Sequence, residues 1–246
     1  MSVCVLQSHR SPLPHPWLAD CLTSVREWSA HCGYDYRFVD DGLFDVLPED
    51  IRRRTDIGTV IKSDLARLRY AQTLQDEFER VVWLDADVLV FAPRGFDLPT
   101  SGSAVGRENW IQLDGKGKLR NYRKVHNAAM VFARGDSLLG FYADSAERLL
   151  RANTAAMPAQ FIGPKLLTAL HNTVQLPVWE NAGMMSPLVG LDLLGESSGR
   201  ALAMLRDEHT APVAALNLCS SSCQRGELTD AQMEVIIDTL LTREAL

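Results

Sequence analysis

The sequence predicts a single α/β domain over residues 1–246, built on a mixed, mainly parallel sheet with helices on both faces. Three observations predict it. Short apolar runs of strand length alternate with longer runs of helical period, the order expected when helices cross over between strands. The run Arg80 to Leu84 is apolar almost throughout, as in a strand buried on both sides. A chain of 246 residues that is 46% hydrophobic can bury a full core.

Val3 to Gln7 is apolar and ends at the polar, proline-rich stretch Ser8 to Pro16, which predicts a buried strand and then a loop. From Trp17 to Cys32 the positions Leu18, Cys21, Leu22, Val25 and Trp28 share one helical face, and Gly33 is placed to end the helix. Tyr34 to Val39 alternates large and polar residues as a strand does, and Asp40-Asp41-Gly42 supplies a turn. A helix is predicted over Thr59 to Phe78, where Val60, Ile61, Leu65, Leu68, Ala71 and Leu74 form an apolar stripe. Arg80 to Leu84 follows as the central strand, and Val88 to Phe91 continues in the same style. Gly102 to Gly117 is polar, rich in Gly and Asn, and reads as a loop. Ala128 to Phe132 is a strand, and Ser137 to Arg151 is an amphipathic helix capped by Ser137 or Asp136. Ala159 to His171 is a helix broken near its start by Gly163-Pro164. Val174 to Val178 and Val213 to Leu218 are predicted strands, and Thr229 to Leu241 is the last helix.

The balance of 25 basic against 31 acidic residues, net −6, leaves no broad cationic surface for a nucleic-acid backbone or an anionic membrane. Nucleic acid is therefore not an expected partner. Arg52 to Arg54 reads as a solvated helix face. Five cysteines without a CxxC pair fit a reduced, cytoplasmic setting, and Cys219 and Cys223 have no nearby His or Cys to complete a soft metal set. Met1 to Arg10 lacks a basic leader and reads as a first strand instead of a signal peptide. No stretch approaches the ~18 apolar residues of a membrane span.

The informative segment is Val81-Val82-Trp83-Leu84-Asp85-Ala86-Asp87-Val88-Leu89-Val90. Carboxylates separated by one residue, directly after a buried strand, repel unless positive charge sits beside them. A hard divalent cation, Mg²⁺ or Mn²⁺, meets that need by taking carboxylate oxygen on one side and phosphate oxygen on the other. The other reading is a polar strand end open to water. Asp64 and Arg67 are three apart on a predicted helix and share a face, placed either to hold hydroxyls and phosphate or to form a surface ion pair.

The segment ending in Asp85 and Asp87 resembles the aspartate-x-aspartate signature of glycosyltransferases with the GT-A fold. It is most similar to the sugar-binding region of glycosyltransferase family 32, related to family 8 and the glucosylating clostridial toxins. Further stretches match in the same order. Lys62-Ser63-Asp64-Leu65-Ala66-Arg67 resembles the family's Ser-Asp-x-x-Arg helix, His126-Asn127-Ala128 its Asn-bearing strand, and Phe161-Ile162-Gly163-Pro164-Lys165 its Gly-Pro helix. The stretch Ser24 to Asp41, with Trp28 and Tyr34, is similar to an early helix and strand of the family. The resemblance covers Val3 to Thr168 and is poor beyond.

The resemblance implies a metal-dependent hexosyltransferase, retaining in stereochemistry, with a nucleotide sugar, a UDP-sugar, as donor. Its acceptor is a saccharide, lipid-linked, protein or small-molecule compound. Residues 1–100 would be the nucleotide-binding half and 101–246 the acceptor half with the last helix. By this analogy Asp85 touches ribose or sugar, Asp87 is the direct metal ligand, and Ser63, Asp64, Arg67 and Ala86 line the donor site. Asn127 bonds the donor sugar or shapes the acceptor side, and Gln160 contacts the other face of the sugar. Gln7, Ser8 and His9, at the end of the first strand, are placed to contact the base. The family's late metal ligand, usually a His or an Asn or Glu followed by Ser, is matched by Asn217 and Ser220, with His209 as the other choice. Glu79-Arg80-Val81-Val82-Trp83 departs from the Gly-Gly-x-Tyr of many relatives. Two rivals remain at this point: a phosphatase of the haloacid dehalogenase type, whose first strand ends in Asp-x-Asp, and a glycosyltransferase-like domain that binds without turnover.

Overall fold

The computed structural model describes residues 2–246. Val3–Ser8 is β1 and Leu18–Cys32 is α1, which ends where Gly33 takes φ +71° and returns its N–H to the Ala30 and Ser29 carbonyls. Asp35–Val39 is β2. Asp40-Asp41-Gly42 opens a 3₁₀ turn over Asp41–Val46, with Asp40 accepting the Gly42 N–H. Glu49–Arg52 is the short α2 and Thr59–Leu74 is α3. The latter stops short of the expected Phe78, which folds back into the core.

Arg80–Leu84 is β3, and Val88–Val90 is β4. The expected continuation does not hold. The chain turns at Asp85, where Val88 N–H bonds the Asp85 carbonyl at 3.0 Å, and β4 joins another sheet. The expected loop over 102–117 is also corrected. Ala104–Leu113 is β5 and pairs antiparallel with the long β6, Leu119–Ala133. Its polar side chains are tolerated because only one face of this ribbon is covered.

The Asp136 carboxylate caps α4, Ser137–Ala152. The Gly163-Pro164 break appears as a π turn over Phe161–Lys165 before α5, Leu166–Val174. The strand expected from Val174 shrinks to β7, Val178–Trp179, because α5 runs through Val174 and Gln175 turns left-handed behind it. Then come β8 (Ala182–Met184), α6 (Pro187–Leu193), α7 (Arg200–Glu208), β9 (Ala215–Asn217) and the short α8 (Ser221–Gln224). The last helix, α9, Asp230–Leu241, opens with a Thr229–Gln232 capping box.

The main sheet has the order β2-β1-β3-β6-β5-β7, with parallel β1–β2, β1–β3 and β5–β7 pairs and antiparallel β3–β6 and β5–β6 pairs. A smaller sheet runs β4-β9-β8. Strand alternation divides the core. Val3, Val5, Val82 and Leu84 face α1, the small sheet and α9, while Cys4, Leu6, Val81 and Trp83 face α3 and α4. Both faces of β1 and β3 are thus dry, and polar groups reach water only at their carboxyl ends.

Candidate active site

The Asp85-Ala86-Asp87 turn forms because β3 ends where β4 must leave for the small sheet. It is held from several directions. Asp85 N–H bonds the Ala128 carbonyl at 2.8 Å, and the Asp85 carbonyl accepts Gln7 Nε2 at 3.1 Å. Gln7 is fully buried, and its Oε1 accepts the Tyr36 hydroxyl at 3.1 Å, so both ends of its amide are engaged behind the turn. It secures the turn in this arrangement instead of facing a base. Ser8 and His9 lie half-buried just past it, at the strand's open end. Ala86 is buried.

Helix α3 supplies the positive charge. Asp64 and Arg67 both lie on its buried face, so the ion-pair reading of an exposed helix does not apply. Arg67 Nη1 donates to Asp85 Oδ1 at 2.7 Å and to the Asn127 carbonyl at 3.1 Å, while Nη2 stands 3.1 Å from Asp64 Oδ1. Its guanidinium carbon lies 4.8 Å from the Trp83 ring centroid, and Trp83 Nε1 also donates to Asp85 Oδ1, at 2.7 Å. The Arg67 Nε reaches the Ser63 carbonyl at 3.4 Å. Asn127 Nδ2 donates to Asp64 Oδ1 at 2.8 Å.

The other oxygen, Asp64 Oδ2, is buried without a hydrogen-bond partner. Above it sits Gly163: a Cβ there would lie 2.3 Å from Asp64 Oδ2 and 2.9 Å from Asn127 Nδ2. Burial pushes the Asp64 carboxyl up to about 6, against the pull of Arg67. That oxygen has acceptor capacity that no group of the protein meets. Gln160 is exposed at the start of the same π turn.

Asp87 lies on the other side of the turn. Its Oδ1 accepts Asn217 Nδ2 at 2.5 Å, its Oδ2 accepts the Ser220 N–H at 2.8 Å, and its carbonyl accepts the Leu218 N–H at 2.9 Å. The loop after β9 can wrap it because Cys219 adopts a left-handed φ of 55°, held by its N–H to Asn217 Oδ1 at 2.9 Å. Burial first, and then the charge of Asp85, raise the Asp87 carboxyl. His209 is turned away, with Nδ1 at 2.9 Å from the Glu180 carbonyl.

These contacts test whether a divalent cation suits the residues present. The carboxylates of Asp85 and Asp87 are hard oxygen donors, and each raises the other's need for a positive partner. They fit an oxygen-coordinated ion. Asn217 presents its amide nitrogen to Asp87 and its oxygen to Cys219, and Ser220 presents its N–H, so both orient Asp87 here. Among the described residues no set of three or more His, Cys, Asp or Glu is gathered for a metal.

One residue that the sequence reading passed over belongs here. Glu108 lies within the segment expected to be a loop, and as part of β5 it is largely buried, its carboxyl raised by desolvation against the pull of Lys124. The Cys219 thiol is pushed well up by burial, then by the charge of Asp87 and then by that of Glu108. No local period reveals it, since Arg107, Glu108 and Asn109 are polar in succession and Trp110 and Ile111 apolar in succession.

No protein-family model matches the chain, and no curated protein matches it. Solved structures do. A glycosyltransferase involved in the glycosylation of the major capsid of PBCV-1 is 13% identical, covering 95% of this chain and 100% of its own, with a TM-score of 0.51. The galactosyltransferase LgtC, solved with donor and acceptor sugar analogues, is 14% identical over 98% of this chain and 97% of its own, TM-score 0.46. Mouse xyloside xylosyltransferase 1 is 10% identical over 89% of this chain and 98% of its own, TM-score 0.48. The likeness to the capsid enzyme, end to end over both chains, carries the conclusion that this chain has the GT-A fold of glycosyltransferases.

Proposed function

We propose that the protein is a metal-dependent glycosyltransferase that moves a hexose from a nucleoside diphosphate sugar, a UDP-sugar by the family resemblance, with retention of configuration. Residues 1–100 bind the nucleotide and 101–246 the acceptor. The observation that carries this reading is the acidic turn Asp85-Ala86-Asp87 at the carboxyl end of β3, with Arg67, Asp64, Asn127 and Gly163 brought beside it from separate elements. A sheet of this kind binds ligands at the carboxyl ends of its strands.

Asp85 and Asp87 would hold the cation, Mn²⁺ or Mg²⁺, which when bound offsets the charge of the donor's diphosphate as the sugar departs. Arg67 is fixed by Asp64, Asp85 and the Trp83 ring, so its charge is organised before the donor arrives. Asp64 Oδ2 and Asn127 bind hydroxyls of the transferred sugar under Gly163. Gln7 holds the backbone of the turn, and Asn217 and Ser220 aim the Asp87 carboxylate.

A panel of UDP-, GDP- and dTDP-sugars, incubated with and without Mn²⁺, tests the proposal. Release of nucleoside diphosphate from at least one donor, dependent on the ion, is expected. Cleavage of small phosphate esters with the panel untouched would support a phosphatase instead, and heat on titration without product would support a binding module.

A further inference from the structure

Strands β5 and β6 form a ribbon that reaches past the neighbouring strands. Glu108 faces Lys124, Trp110 faces Tyr122, and Gln112 faces Arg120 in register. Directly opposed residues share a face, so these six side chains form one row. The alternate positions point the other way and are covered at Asn109, Ile111 and Leu119, while Leu113 and Arg123 stay exposed. The row itself is largely open. Gln112, Arg120, Tyr122 and Lys124 are exposed, and Trp110 is half-buried, its Nε1 donating to Gln112 Oε1 at 3.1 Å.

The ribbon also concentrates charge. Residues 114–124 carry Lys116, Lys118, Arg120, Arg123 and Lys124 against the single acid Asp114, in a chain of net charge −6. Asp114 is occupied within the turn, accepting the N–H groups of Lys116 and Lys118 and Arg120 Nε. The strand that carries half of the row continues to the reaction site. Lys124 precedes Asn127 on the same strand by about 10 Å of chain, and Asn127 touches Asp64.

We propose that this face of the β5–β6 ribbon docks the acceptor, and that the acceptor is an anionic saccharide bearing carboxylate or phosphate groups. Trp110 and Tyr122 offer ring faces of low conformational entropy to a sugar, and Lys116, Lys118 and Lys124 attract its charges. A bilayer would meet only the tip of the ribbon, whereas the row runs inward to Glu108. The inference rests on the glycosyltransferase reading and names the class of its second substrate.

Titration calorimetry of the whole chain at low salt tests it, with maltotriose, trigalacturonate and a phosphorylated maltotriose as probes. The wild type should bind an anionic probe about tenfold more tightly than maltotriose, the sum of a few exposed ion pairs. The Lys116→Gln, Lys118→Gln, Lys124→Gln triple variant should lose that preference, and Tyr122→Ala should weaken all saccharides. Equal binding of neutral and anionic probes, or a preference kept by the triple variant, would overturn the proposal. Binding to phosphatidylglycerol vesicles without any saccharide preference would also overturn it, in favour of a membrane. Donor hydrolysis by the wild type, assayed in parallel, separates the failures. Hydrolysis without saccharide preference removes the docking face alone, and no hydrolysis removes both readings.

Discussion

Arg67 Nη1 donates to Asp85 Oδ1 at 2.7 Å, joining the middle of α3 to the end of β3. The same guanidinium serves Asp64, the Asn127 carbonyl and the Trp83 ring, a planar fork used in every direction. A lysine ammonium cannot reproduce that geometry. Arg67→Lys is expected to cost about 1–3 kcal/mol of stability through unmet hydrogen bonds, and to reduce donor turnover as well. Urea unfolding and donor kinetics check it; a variant equal to wild type in both would show that the fork is idle.

Asp87→Asn should separate folding from catalysis. Burial and the charge of Asp85 already raise this carboxyl, so removing its charge relieves repulsion in the free protein. The amide keeps only one of the bonds from Asn217 Nδ2 and the Ser220 N–H, which offsets that relief, so the melting temperature is expected to stay within about 4 °C of wild type. Metal-dependent donor hydrolysis should fall by at least about 10²-fold, because a cation ligand is lost. Full activity in this variant would count against the site.

Gly163→Ala probes the contact over Asp64. The added methyl would sit 2.3 Å from Asp64 Oδ2, where the proposal places a sugar hydroxyl. A loss on the order of 10²-fold in kcat/KM for the donor is expected from a displacement of this size. A stability loss of about 1–3 kcal/mol should accompany it. Unchanged donor kinetics would remove Asp64 from the sugar site.

Two buried groups should give opposing pH dependences. Burial lowers His126 to about 4, so the unfolded chain binds its proton first, and the stability His126 contributes is complete above about 6.5 and lost as pH falls towards 4. Asp64 is raised to about 6, so its contribution is complete below its ordinary range and lost as pH rises through 6. Each effect is on the order of 3 kcal/mol. Between pH 4 and 6 the two nearly cancel in wild type, so His126→Gln should leave stability falling as pH rises, and Asp64→Asn should leave it rising. Urea midpoints across this range check both signs, and parallel profiles for all three proteins would contradict them.

Much of the site could be read before any packing was known. The apolar run into Asp85 and Asp87 marked the end of a buried strand, and the spacing of Asp64 and Arg67 put both on one helix face. Gly33, Asp136 and Thr229 stopped or capped their helices as their chemistry requires. Gly102 to Gly117 looks like a loop in the sequence because its covered side is made by the distant α6, α7 and β8, which local composition does not encode. Gln7 was read as facing a ligand because a strand's end is usually open, yet Tyr36 and Asp85 engage both ends of its amide.

The sequence by itself determined the alternation of strands and helices, the acidic turn and the helix that answers it, since these follow from periodicity and like-charge repulsion within short spans. Only the tertiary structure decided that β4 leaves the main sheet, that Gly163 closes over Asp64, and that a polar stretch becomes a cationic ribbon beside the site. Those outcomes depend on which distant surfaces remain to be covered, and burial of apolar area across the whole chain sets that, not any local run of residues.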